Sequence, residues 1–213
     1  MTAATASPAV RSGDVAPGVL GRARAGDEVA FTEVVRHYDH RLRALAFRLL
    51  GDRAAMDDAL QDAYVKAFRA LPGFREDAAL GTWLYQITYR ACIDQQRRES
   101  RHRTGAAGVS GPGGSPSAGP SSGARPGAPG GREPAATGAS GDPAGTAATR
   151  TDLTRALAAL PVDQRAAVLL VDAEGLDYDA AAAVLGVAPG TIASRLSRAR
   201  ATLRTALAEG ETR

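Results

Sequence analysis

The chain has 213 residues, 44% hydrophobic and 23% charged, ordinary for a soluble protein and enough for two compact domains with a connector. Its 26 Lys and Arg against 23 Asp and Glu leave a formal charge of +3, too mild to demand a polyanionic partner, so placement of charge matters more than its sum. The single cysteine, Cys92, excludes an internal disulfide and a cysteine-based metal site and suits a reducing compartment.

Residues 1–21 read as a disordered N-terminal tail, without the apolar stretch of a secretory signal. No run approaches the ~18 apolar residues of a membrane span. The expectation is a cytoplasmic protein with no membrane insertion of its own. Residues 22–103 form a first folded block. Phe31, Val34, Val35, Tyr38, Leu42, Leu45, Ala46 and Leu49 recur at helical spacing. Gly51 suits the end of that helix and Asp52 the cap of the next. A second stripe runs through Leu60, Ala63, Tyr64, Ala67, Phe68 and Leu71 until Pro72-Gly73 stops it. After a loop around FREDAALGT, a third contains Leu80, Trp83, Leu84, Ile87 and Ala91. Phe31, Phe47, Tyr64 and Phe68 read most simply as core.

Residues 104–150 are built largely from Gly, Pro, Ser and Ala. Such a stretch cannot bury enough apolar surface to offset its ordering entropy, so a disordered linker is expected. Residues 151–209 form the second block, expected to hold four helices. Leu153, Ala156, Leu157 and Leu160 lead to Pro161, and a second helix covers about Asp163 to Ala173 before a break at Glu174-Gly175. Then come helix, glycine turn and helix, with Gly186 in the turn and Pro189 in the first turn of the last helix. Ile192, Leu196, Ala199 and Leu203 give that helix its buried side. No alternating segment competes, so the fold class is all-α, two small helical domains joined by a long linker. A unit as short as the second can bury only a thin core, so it is expected to lean on partners for rigidity.

The last helix carries Arg195, Arg198, Arg200 and Arg204, with no acid between Thr191 and Leu207. After a helix-turn pattern, this suits a recognition helix in the major groove, with Thr191, Ala193 and Ser194 toward base edges and the arginines toward phosphates. A solvated basic face at a helix C-terminus is the plainer alternative. The end of the first block is also basic, through Arg90, Arg97, Arg98, Arg101 and Arg103. Phe74, Trp83, Tyr85 and Tyr89 bracket a loop and lead into it, a pairing that suits single-stranded bases. For Trp83 a core anchor explains the ring equally well. Asp57, Asp58 and Asp62 form an acidic group better suited to a protein partner or to water than to a metal, and His37, His40 and His102 have no ligand spacing. There is no Walker loop, nucleotide fingerprint or nucleophile–base pair, so no enzyme, cofactor, metal or catalytic residue is expected.

These residues carry a resemblance. DDALQDAYVKAFRAL and FREDAALGTWLYQITYRACIDQQRRE resemble the region-two domain of extracytoplasmic-function (ECF) sigma factors of bacterial RNA polymerase. ALPVDQRAAVLLVDAEGLDYDAAAAVLGVAPGTIASRLSRAR resembles their region-four domain. The resemblance implies promoter-specific initiation with core polymerase, through its β′ and β subunits, on promoter DNA. It implies polymerase binding by Asp58, Gln61 and Asp62. It implies −10 recognition by Phe74, Trp83, Tyr85, Tyr89, Arg90, Arg97 and Arg98. It implies −35 recognition by Thr191, Ala193, Ser194, Arg195, Arg198 and Arg200, and an anti-sigma factor as a further partner. Arg90 stands where many members carry Asn, Ala193 where many carry Lys or Arg, and Ala188 where a Ser cap is frequent.

Three rival readings remain at this point. A stand-alone helix-turn-helix regulator explains the second block but leaves the acidic helix and aromatic loop of the first unexplained. A redox sensor at Cys92 has Arg90 nearby to lower the thiol pKa but no resolving partner; a small core cysteine is the plainer reading. An interaction scaffold does not account for the clustered arginines.

Overall fold

The computed structural model describes residues 15–16, 18–75, 79–107 and 152–211. Every regular element among them is helical: α1 (Val19–Arg24), α2 (Glu28–Leu50), α3 (Arg53–Ala70), α4 (Leu80–Ala107), α5 (152–159), α6 (Val162–Val168), α7 (Tyr178–Leu185) and α8 (Pro189–Glu211). A 3-10 turn, Leu71–Gly73, follows α3, and a π-helical turn, Leu169–Ala173, follows α6.

The first domain is a bundle of α2, α3 and α4 with α1 laid against α2. Asp27 caps α2, its carboxylate accepting from the N–H groups of Val29 and Ala30. Gly51 closes the helix in the left-handed conformation, φ 73°, where a side chain would be strained. Asp52 then caps α3 through the Ala55 N–H at 2.8 Å. The stripe from Phe31 to Leu49 faces inward, with Tyr38, Leu42, Leu45 and Leu49 fully buried. Phe47 differs from expectation. It is 44% exposed, because two residues from Leu45 is about 200° around a helix. Phe31 is buried, while Tyr64 and Phe68 pack half-buried against the core.

Two boundaries shift. α1 begins at Val19, inside the segment read as a tail, because Val19 and Ala23 lie one turn apart and bury against the bundle. Six residues are too few for a periodic signal. α4 runs to Ala107, past the boundary at 103. The remaining linker expectation lies outside the described residues.

In the second domain α6 and α7 both pack on α8. Gly186 adopts the left-handed conformation, φ 67°, and α7 and α8 diverge by 96°, the geometry of a helix-turn-helix. Its core is alanine-rich: Ala166, Ala167, Ala181, Ala182 and Ala199 fill in around Leu170, Ile192 and Leu196. This thin core is continuous with that of the first domain, since α7 lies against α4 and α6 against α2. No single helix among the described residues is long and apolar enough to cross a membrane.

Candidate polymerase and nucleic-acid interface

The acidic group lies on the side of α3 opposite its buried stripe of Ala55, Met56, Ala59, Leu60 and Ala63. Asp58 and Gln61 are exposed and Asp62 half-buried. Asp57 accepts from Arg43 at 2.8 Å, and Arg43 in turn holds Asp39 at 3.0 Å. The Tyr64 hydroxyl donates to the same Asp39 at 2.6 Å. Desolvation first, and then that bond, hold Tyr64 well above the ordinary phenol range. The hydrogen bond to Asp57, more than that to Asp39, stabilises the Arg43 charge. These ties fix α2 and α3 as one platform. Asp62 pairs with Arg98 of α4 at 2.9 Å, and Lys66 reaches Asp94 at 3.5 Å. The acidic surface and the basic helix are therefore linked directly. Among the described residues no group of three His, Cys, Asp or Glu side chains is arranged to hold a metal ion.

Along α4, Trp83, Arg90 and Arg97 recur every seven residues, so they fall on one side of the helix over ~21 Å at 1.5 Å per residue. Arg90 and Arg97 are exposed and Trp83 half-buried, its ring tilted 49° against Phe74 at 5.1 Å. Phe74 is buried. Residues 76–78 of the intervening loop lie outside the described residues. Tyr85 takes a different side of α4. It is fully buried, and its hydroxyl donates to Glu174 of the second domain at 2.5 Å. Burial foremost and the Glu174 carboxylate next push its pKa far up. Tyr89 is half-buried and raised by desolvation, and it is near enough to Arg195 of α8 to feel its charge.

On α8, Ile192, Leu196 and Ala199 are buried against α6 and α7, which turns Ala193, Ser194 and Arg198 outward. Thr191 is half-buried, and the Ser194 hydroxyl donates back to its carbonyl at 2.9 Å. The arginines divide. Arg198 is exposed, whereas Arg195 is 20% exposed and paired with Asp163 at 3.1 Å. Arg200 forms a two-pronged bond to Asp172, at 3.1 and 2.5 Å, which stabilises its charge. Asp163, Asp172 and Glu174 went unnoticed in the sequence because their partners are 28 to 89 residues distant. Cys92 is fully buried, and desolvation pushes its thiol up to about 12. That is the opposite of an activated thiolate and removes the support for a redox sensor.

A three-helix platform followed by a helix-turn-helix with an open face on α8 defines a two-domain, all-α protein of the helix-turn-helix class. Residues 34–102 match the family described as Sigma-70 region 2, and residues 150–203 that described as Sigma-70, region 4. The ECF RNA polymerase sigma factor SigM of Mycobacterium tuberculosis is 37% identical over 179 residues, 84% of this chain and 78% of that protein. The ECF RNA polymerase sigma-E factor of Escherichia coli is 30% identical over 184 residues, 85% of this chain and 88% of that one. Among solved structures, the sigma factor RpoE of Bartonella quintana, in complex with the anti-sigma factor NepR, has a TM-score of 0.61 at 30% identity. That comparison covers 83% of this chain and 96% of RpoE. CnrH, in complex with the cytosolic domain of CnrY, shares the fold, with a TM-score of 0.58 at 22% identity over 90% of this chain and 96% of CnrH. The chain belongs to the ECF sigma factors, transcription initiation factors that direct RNA polymerase to specific promoters.

Proposed function

We propose that α3 binds core RNA polymerase through Asp58, Gln61 and Asp62, that α4 follows the displaced −10 strand, and that α8 reads the −35 duplex. The single observation that carries the reading is the order of surfaces: an acidic platform, an aromatic and basic helix, and an open recognition helix. A stand-alone regulator uses the last and leaves the other two idle. On α4 the exposed line of Trp83, Arg90 and Arg97 alternates a stacking face with phosphate-binding charge, as a single strand requires. Arg98 joins it once released from Asp62. Phe74 supports the Trp83 ring from below. On α8, Ala193 and Ser194 face bases and Arg198 a phosphate, with Thr191, Arg195 and Arg200 at the margin.

Magnitudes limit the mechanism. Opening DNA costs on the order of 1.4 kcal/mol per step, and one captured base returns ~1–3 kcal/mol. The protein therefore traps an opening that polymerase sustains and does not melt promoters alone. A flexible connector between α4 and α5, residues 108–151, would span about 36 Å if relaxed and about 145 Å if extended. Two elements roughly 85 Å apart, at ~34 Å per turn, are within its reach only under tension. Polymerase and the β and β′ surfaces it offers supply the binding energy that holds it there. Arg90 and Ala193 depart from frequent family residues, so the promoter elements differ from those of such members. The work is done in the cytoplasm, where the polymerase is. The complex of RpoE with NepR supports an anti-sigma factor as the regulatory partner.

The test is binding of the labelled full chain to core polymerase. Asp62→Ala and Asp58→Ala are expected to weaken binding at least ~10-fold together, as truncation of one partner of a charge pair that an interface buries does. Unchanged binding in the double variant would remove α3 from the interface.

A further inference from the structure

The basic residues of the second domain are met by acids in a pattern that duplex binding does not require. On α8, Arg200 donates from Nε and Nη2 to the two carboxylate oxygens of Asp172, at 3.1 and 2.5 Å. Arg195 meets Asp163 of α6 at 3.1 Å. Arg198, between them in sequence, is exposed, and no carboxylate pairs with it among the described residues. Arg165 of α6 is spent on backbone carbonyls, among them those of Leu49 at 2.9 Å and Leu160 at 3.0 Å. From Pro189 to Arg200 the last helix therefore carries three arginines, two of them already neutralised.

Asp172 lies in the π-helical turn Leu169–Ala173, where the Glu174 N–H donates back to the Leu169 carbonyl at 3.0 Å. The extra residue in such a turn shifts the phase of the helix, and π-turns are frequent at functional sites. Here Leu169 and Leu170 are buried while Asp172 reaches across to α8. The pair is open to solvent, with the Arg200 side chain 46% exposed and that of Asp172 37%. Tyr178, exposed at the start of α7, is close enough to interact with the same guanidinium. A guanidinium has five N–H donors. Asp172 takes two, and the remainder can still meet a phosphate. What the pair lacks is net charge. A neutral pair releases no counterion from DNA, and counterion release drives sequence-independent binding. A pair this exposed contributes little to folding, so its consequence lies in how it receives an approaching phosphate.

We propose that Asp172, and to a lesser degree Asp163, are brakes on α8: each competes with DNA phosphates for its arginine and lowers the affinity of the helix for duplex of any sequence. The proposal rests on α8 as the −35 reader and adds the residues that set the strength of its hold. A helix with all three arginines free would grip any duplex it met, and sites of the wrong sequence vastly outnumber promoters. A weak sequence-independent hold keeps the protein off bulk DNA. Asp172 is a positioning residue, acting on DNA through Arg200. The grading between the two brakes follows from cover: Arg195 is 20% exposed against 46% for Arg200, so a phosphate gains less when Asp163 is neutralised.

The experiment titrates holoenzyme, the full chain with core polymerase, onto two labelled duplexes over a range of salt. One has random sequence and the other carries an upstream element mapped by start-site sequencing; core polymerase alone is titrated in parallel. Asp172→Asn, which keeps the shape and removes the charge, should tighten binding to both duplexes by a similar factor, ~3–10-fold at low salt. It should also steepen the slope of log affinity against log salt by about 0.9, the value of one added phosphate contact. Adding Arg200→Ala should return the slope to that of the unaltered chain, since the pair and its neutral replacement carry the same charge. Asp163→Asn should act in the same direction and less, and it decides the matter if Asp172→Asn alters the circular dichroism of the chain. An unchanged slope, or weaker binding, would overturn the brake and make Asp172 a support for Arg200. Tightening confined to the mapped element would also overturn it, because Arg200 would then be reading bases. If Arg198→Ala leaves both duplexes unaffected, the −35 reading of α8 fails; an effect of Arg198→Ala without one of Asp172→Asn removes the brake alone.

Discussion

The two surfaces proposed to bind DNA are kept in opposite ways. On the first domain the aromatic side chains are withdrawn: Phe74 and Tyr85 are buried, and Trp83 and Tyr89 half-buried. On the second, Ala193, Ser194 and Arg198 lie open, and charge is muted instead by pairing Arg195 with Asp163 and Arg200 with Asp172. The difference follows from the target. Flipped or single-stranded bases are bound by apolar rings, which invite unwanted association when left exposed. Duplex DNA is bound by polar groups and charge, which water tolerates and nearby carboxylates can restrain. On that proposal, one reader is stored by covering it, the other by neutralising part of it.

The sharpest way to break this comparison is through the cores beneath the surfaces. Leu196→Ala and Leu45→Ala each remove a fully packed side chain at about 2–5 kcal/mol. In the alanine-rich second domain that loss should abolish structure, whereas the thicker first domain should remain folded. Urea unfolding followed by circular dichroism tests this, and identical single transitions for both variants would contradict the asymmetry. Next in size is the contrast between arginines on one helix. Arg198→Ala should reduce the slope of log affinity against log salt by about 1, as loss of one phosphate contact does. Arg200→Ala should change that slope less, because Asp172 already occupies the guanidinium. Anisotropy titrations over a range of salt would separate them, and equal slopes would show that the pairing restrains nothing.

A smaller effect is expected at Cys92. With its thiol raised from 9.0 to about 12, the thiolate fraction near neutrality falls ~1,000-fold, one decade per pH unit. Native protein should react with a thiol reagent at least ~100-fold more slowly than unfolded protein; comparable rates would place Cys92 at the surface. The smallest concerns pH. Tyr85 titrates above its free value when folded, so its contribution is complete below ~10 and declines as pH rises through the folded pKa. Domain closure should be level from pH 6 to 9 and weaken only in stronger alkali, a loss that Tyr85→Phe should lessen.

Much of the fold was legible from periodicity. The stripe from Phe31 to Leu49 and the caps at Gly51, Asp52 and Gly186 depend on neighbours within a turn or two, and such signals survive in a single sequence. α1 escaped because one apolar pair, Val19 and Ala23, makes no period. Of the candidate site, the residue types and their order along the chain were readable, whereas the exposure of Arg90 and Arg97 comes from the structure. What sequence could not convey was which arginines would meet acids. Arg98 and Asp62 are separated by 36 residues, and Arg165 and Leu49 by 116. These encounters depend on how helices cross, and the covered position of Tyr85 depends on how domains dock.

The most direct test of the central claim is transcription in vitro with sigma-free core polymerase, this protein and a pool of fragmented genomic DNA, with transcript ends sequenced. The account predicts discrete start sites that need the protein and share two upstream elements. An absence of protein-dependent starts, together with no binding to core polymerase, would contradict it.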